Sequence, residues 1–178
     1  MTHLRNYPTG RSRSALRHSG ILLLVAAATS LAPPAFADNG NTVVPNNARL
    51  NNAVYVNINT SQRQNGCPVD SKMDNRLTEA ARRHTLDVLN NPDINGDIGS
   101  DGSTPQDRAR DAGFPGRATE TVAIVPALAI NGIDVLGQWW WDPPSRAIMQ
   151  DCANTAIGVW SENSLNRSVL VATYGQPT

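Results

Sequence analysis

The first thirty-seven residues decide what there is to fold. Arg5, Arg11, Arg13 and Arg17 make a basic leader with no acid in it, followed by an apolar run from Gly20 to Ala32. Pro33-Pro34 breaks that run, and Ala35-Phe36-Ala37 supplies the small-x-small pattern that a signal peptidase cuts. The run is shorter than the ~20 residues a bilayer span needs. The expectation is a cleaved signal peptide over 1–37, with Asp38 as the new N-terminus; the alternative is an uncleaved anchor. No adjacent Arg pair is present in the leader, which favours general secretion. The chain is therefore expected to be secreted, with no stable membrane span once the signal is gone.

Cleavage leaves 141 of the 178 residues, enough for one domain with a core of its own. All 15 acids lie in that part but only 11 of the 15 basic residues, giving a net charge of −4. A mildly acidic surface with no basic stripe argues against nucleic acid and against anionic lipid surfaces. Two cysteines remain, Cys67 and Cys152. In an oxidising compartment one internal disulfide is the simplest expectation, with free thiols or partners on another chain as alternatives.

Along the mature chain, 38–45 is polar and Asn-rich and reads as a flexible lead-in. Between Asn46 and Asn65 two periods compete. Leu50, Val54 and Ile58 repeat every four residues, whereas Val54, Val56 and Ile58 alternate; helix is favoured. Met73 to Asn90 is a clearer helix, with Asp74 as cap and Leu77, Ala80, Ala81, His84 and Val88 on one face. Glu79 and Arg83 pair across one turn on another face. Asp93 to Ser103 is a polar, Gly-rich loop. Thr104-Pro105-Gln106-Asp107 opens a short helix that ends at Gly113. A strand is expected over Thr119–Val125, and a helix over Ile130–Trp141 stopped by Pro143-Pro144. Two more strands are expected, Thr155–Ser161 and Ser168–Tyr174. Helices first and strands late predict an α+β domain over 46–178.

In this order the segments resemble the CAP superfamily: cysteine-rich secretory proteins, antigen 5 proteins and pathogenesis-related proteins. Asp74-x-x-Leu77 with Ala81-x-x-His84-x-x-Asp87 is similar to the family's second helix. Gly99-Ser100-Asp101-Gly102-Ser103-Thr104-Pro105-x-Asp107-Arg108 is similar to its loop and next helix. Ala112-Gly113-Phe114 and Thr119-Glu120-Thr121-Val122-Ala123 resemble the Gly-aromatic and Gly-Glu-Asn-Ile-Ala elements. Trp139-x-x-Asp142-Pro143-Pro144-Ser145-Arg146 and Ala156-Ile157-Gly158-Val159 come next, in their places. The resemblance implies a three-layer α-β-α sandwich with a small antiparallel sheet between helices.

The departures bear on function. Many family members line a central cleft with two His and two acids, and some bind zinc there. Here the two cleft histidine positions align with Asp97 and Ser145. Glu120 stands for one family glutamate, and the second has no assigned counterpart. His3 and His18 leave with the signal, so His84 is the one mature histidine and no two-histidine metal site forms within one chain. His84 lies on the apolar face of its helix, as a buried and hydrogen-bonded side chain would. No cofactor or metal is expected.

Four candidate chemistries remain. Ser145 with His84 as a hydrolase pair lacks the Gly-x-Ser-x-Gly setting, and a plain polar substitution explains Ser145 as well. Asp97 and Glu120 could act as paired carboxylates in a cleft hydrolase. Asp93-x-Asn95-x-Asp97 spaces oxygens like a calcium loop but has Ile98 and Thr104 where Gly and Glu are needed, so a turn fits better. A weak cation site using Asp97, Glu120 or Asp101 is the remainder of that idea. Trp139-Trp140-Trp141 sweeps ~200° around a helix, so one face cannot bury all three. Trp139 is expected in the core, and Trp140 or Trp141 at the surface as an anchor for a ligand or partner. The reading is a secreted, non-catalytic binding module for an apolar ligand or protein, with cleft and binding candidates Asp97, Glu120, Ser145, Trp140 and Trp141. The alternatives are the carboxylate hydrolase and a structural envelope protein with a vestigial cleft.

Overall fold

A computed structural model describes residues 47–127 and 129–178. The expected signal peptide, its cleavage point and the lead-in lie outside the described residues.

Among the described residues five helices and four strands run in the order α1 (Ala48–Gln64), β1 (Lys72–Met73), α2 (Asn75–Asn90), α3 (Pro105–Asp111), β2 (Arg117–Pro126), α4 (Gly132–Trp141), α5 (Pro143–Gln150), β3 (Ala156–Asn163) and β4 (Arg167–Gln176). The strands form one sheet in the order β1-β3-β4-β2. β3 and β4 make an antiparallel hairpin, and β2 pairs antiparallel with β4 over its whole length, Glu120 opposite Thr173. The antiparallel expectation holds for these three strands. The two-residue β1 is an addition, and it pairs parallel with β3.

Side chains alternate between the two faces of a strand, and each face has its own helices. Ala123, Ile157, Val159, Leu170, Ala172 and Tyr174 meet Val54 and Ile58 of α1, Val135 and Trp139 of α4, and Met149 of α5. On the other face Val169 and Val171, with Val122 and Ile124 beside them, meet Ala81, Val88 and Leu89 of α2. The α-β-α sandwich is thus two cores on one sheet. α2 lies against the backbone itself: a Cβ on Gly158 would stand 2.0 Å from the Thr78 nitrogen.

The local causes are plain. In α1 the four-residue period wins because Val54, Ile58, Ser61 and Gln62 share the buried stripe, while Val56 is left half exposed. Asp74 caps α2 by accepting from the Arg76 amide. Thr104 and Asp107 close a reciprocal capping box on α3, and Gly113, at φ +87°, turns the chain out of it. Pro143-Pro144 ends α4 as expected, but it also begins α5. Asp142 accepts from the Ser145 amide as N-cap, and a proline in the first turn loses no hydrogen bond that a helix would have made.

Cys67 and Cys152 form the expected disulfide, 85 residues apart in sequence. It ties the end of α1 to the segment after α5. Beside it Gln62 is buried, donating to the Asn154 carbonyl and accepting from Ser71 Oγ, which also reaches that carbonyl.

Candidate functional site

The sheet separates the five candidate residues into two places. Asp97 and Glu120 belong to the α2–α3 side; Ser145, Trp140 and Trp141 belong to the α4–α5 side.

On the first side Glu120 shares a face with Thr173, and its side chain is 0% exposed. Both carboxylate oxygens are occupied. Arg108 donates to Oε2 at 2.5 Å, and the Thr173 hydroxyl donates to Oε1 at 2.8 Å. Burial pushes this carboxyl above its ordinary value, against the pull of Arg108, His84 and Thr173. Arg108 is itself buried; its two terminal nitrogens also donate to the loop before α3, while its Nε has no hydrogen-bond partner among the described residues. It reaches the Ser103 carbonyl at 2.7 Å and the Asp97 carbonyl at 2.6 Å. Asp97 therefore meets this network through its main chain, and the residue as a whole is exposed. His84 is buried with Nε2 2.9 Å from the Gly96 carbonyl, a contact that makes Nε2 the donor. Asp87 completes the clamp by accepting from both the amide and the hydroxyl of Ser100. The Asp93–Ser103 loop is thus pinned through its backbone by His84, Asp87 and Arg108. These contacts hold a loop against a sheet. Among the described residues no group of three or more His, Cys, Asp or Glu is placed to hold a metal ion.

On the second side α4 is apolar nearly all round. Val135 and Trp139 face the core; Trp139 is 1% exposed and its indole N–H donates to the Val122 carbonyl at 3.1 Å. The neighbouring stripe is Ile133, Gly137, Trp140 and Trp141, at the i, i+4, i+7, i+8 spacing of one helix face. Ile133 is 81% exposed, Trp141 82% and Trp140 37%. Arg146 of α5 stacks its guanidinium 5.9 Å from the Trp140 ring centre. Ser145 sits half-buried in the first turn of α5, its amide held by Asp142. His84 lies across the sheet from it, so the two do not form a nucleophile–base pair.

A groove of about 390 Å³ runs between α1 and α4. Ile133, Leu136 and Trp140 form one wall, and Asn57, Thr60 and Gln64 of α1 the other. α1 and α4 come close at Gly132, where a Cβ would touch Val54 and Leu50 at 3.7–3.9 Å. A second, open hollow flanks α4 on its far side, lined by Ile133, Gly137 and Trp141 with Val125 of β2. The tryptophans stand out in the sequence, whereas the exposure of Ile133, the inward reach of Arg108 and the α1 wall emerge only in the fold. The polar stripe 57, 60, 64 is visible in the sequence as a solvated helix face, and only the packing of α1 on α4 makes it part of a groove.

Neither family models nor curated protein sequences give a match to this chain. Solved structures do. An outer surface protein from Borrelia burgdorferi superposes with a TM-score of 0.67 at 16% identity, over 77% of this chain and 99% of that one. An extracellular protein containing an SCP domain from Bacillus anthracis matches with a TM-score of 0.55 at 19% identity, over 70% of this chain and 39% of that one. A cysteine-rich secretory protein from Staphylococcus aureus matches with a TM-score of 0.51 at 12% identity, over 75% of this chain and 41% of that one. The chain therefore spans about two fifths of the length of the last two proteins. With its α-β-α layers and four-stranded sheet, this chain has the CAP (SCP-like) fold.

Proposed function

We propose that this chain is an exported, non-catalytic binding module that receives an apolar ligand, or the apolar face of a protein partner, on the outer side of α4. One observation carries the reading: Ile133 and Trp141 stand more than four-fifths exposed on one face of a helix, beside a groove that Trp140 borders. Large apolar side chains grouped in solvent mark interaction surfaces. The description of the structurally similar proteins as extracellular or outer-surface supports export, as does the basic-apolar-Ala37 leader. The absence of catalysis is supported by the state of Glu120. Its two oxygens already have partners, and a general acid or base needs a face open to substrate.

Uptake of Nile red, an uncharged apolar dye, tests the reading. The protein is expected to raise the dye's emission, and the I133S/W141S double variant to lose most of that rise while keeping its melting temperature. No uptake, or uptake indifferent to the double variant, overturns the α4 site. A hydrolytic activity abolished by Glu120→Gln in a still-folded protein overturns the non-catalytic part.

A further inference from the structure

The two walls of the α1–α4 groove differ in chemistry, and that difference restricts the ligand. On α4 the wall is Ile133, Leu136 and Trp140. On α1 it is Asn57, Thr60 and Gln64, three to four residues apart and so stacked along one helix face. All three α1 residues are exposed. The side-chain amides of Asn57 and Gln64 make no hydrogen bond with the described residues, and Thr60 uses its hydroxyl proton on the Val56 carbonyl, leaving its oxygen able to accept. Among the described residues no charged side chain lines the groove.

We infer that this groove binds a neutral saccharide, its apolar C–H face against the Trp140 wall and its hydroxyls against the amides of Asn57 and Gln64. The inference rests on the binding-module reading and goes beyond its apolar ligand, assigning the groove beside the exposed α4 face to an amphipathic one. A pyranose ring has the same division as the groove: a flat C–H face that packs on an indole, and a rim of hydroxyls that both donate and accept. A primary amide is the matching partner, because it offers a carbonyl oxygen and two N–H donors in one plane. An acyl chain fits less well. It offers neither donor nor acceptor to the amides of Asn57 and Gln64, whose water it would displace without replacing. Anionic glycans and phosphates fit less well again. No cationic side chain among the described residues lines the groove, Arg146 is stacked over Trp140, and the adjoining hollow carries Asp134 and Asp142. The volume of about 390 Å³ falls in the range of small-ligand clefts. At Gly137 nothing lies within 4 Å of where a Cβ would be, so the crest of α4 is low between the groove and the hollow that Trp141 lines. A saccharide longer than the groove has a path over that crest to a second indole.

The test is an array of neutral, uronate, sialylated and sulfated oligosaccharides, followed by fluorescence titration with the strongest neutral binder. Binding is expected on neutral glycans. The N57L/Q64L double variant, at exposed helical positions where leucine is a good helix former, is expected to weaken it at least tenfold while Nile red uptake stays the same or rises. Trp140→Ala is expected to lose the saccharide as well. Three results overturn the inference: no neutral glycan bound, binding confined to acidic glycans, or neutral binding undiminished in N57L/Q64L. If Nile red still reports the α4 site in those cases, the binding-module reading survives and the ligand class alone is wrong. If neither probe binds, both fall.

Discussion

Replacing Glu120 with Gln separates a structural carboxylate from a chemical one. In the native chain Arg108 holds four bonds: Ser103 O and Oγ at 2.7 and 3.1 Å, Asp97 O at 2.6 Å and Glu120 Oε2 at 2.5 Å. The variant keeps an oxygen for Thr173 but leaves the guanidinium charge facing an amide and three neutral acceptors, with its side chain 6% exposed. Removing one partner of a buried ion pair costs about 3–5 kcal/mol, because the other charge stays buried without compensation. For a domain of this size about 1 kcal/mol shifts the melting temperature by about 3–5 °C, so a drop of about 9–25 °C is expected. Urea unfolding and calorimetry measure it. The R108M/E120M double variant supplies the control. Two apolar chains of similar volume leave no orphaned charge, so most of the loss should return, although the carbonyls of Asp97 and Ser103 lose their donor. A Glu120→Gln protein within about 1 kcal/mol of wild type, or a double variant no better than the single, refutes the clamp reasoning.

Three further outcomes rest on the same structure. Reducing the Cys67–Cys152 bond, which closes a long loop, is expected to lower stability by about 2–4 kcal/mol in urea titrations with and without reductant. On acidification stability should fall as the pH drops below 4.5 toward 2. Glu79, held down to about 2 by Arg82 and then Arg83, and Asp107, held down to about 2 by Thr104 and then Arg110, are both more acidic folded than unfolded, so their contribution is present above the unfolded value and is lost on protonation. Circular dichroism followed across that pH range measures the acid limb. Gly158→Ala, whose new methyl would meet the backbone of Leu77 and Thr78 at 2.1 and 2.0 Å, should cost at least about 1–3 kcal/mol and loosen α2 in hydrogen exchange.

How much of the fold was legible in the sequence depended on range. Periodicity and caps are local, so α2, α3 and the late strands could be read from residues such as Asp74, Thr104 and Val169–Val171. α1 carries two patterns, and the choice between them rests on burial of Ser61 and Gln62, whose partners include Gln150 and Asn154 far along the chain. α5 was hidden because Pro143-Pro144 signals both a stop and a start, and Asp142 decides between them by capping the new first turn. β1 is two residues long and exists through its pairing with Ala156 and Ile157. At the site, Trp139 and Trp141 differ in exposure as the helical sweep requires. The placing of Asp97 and Glu120 needed the identity of Arg108's partners. Arg108 looked like an ordinary helix residue, and nothing in its spacing said that it points at a sheet. The groove needed two helices that meet only in the folded state.

The most direct test of the central claim uses the indole N–H resonances of the four tryptophans. Trp139 and Trp160 donate to Val122 O and Glu162 Oε1, on opposite sides of the sheet, and serve as internal references. When the strongest neutral glycan, or Nile red in its place, is titrated into nitrogen-15-labelled protein, the account predicts that Trp140 shifts and saturates, joined by Trp141 for Nile red or a glycan longer than the groove, while Trp160 stays still. Shifts centred on Trp160 or on the Arg108 side chain, with Trp140 and Trp141 unmoved, would contradict it.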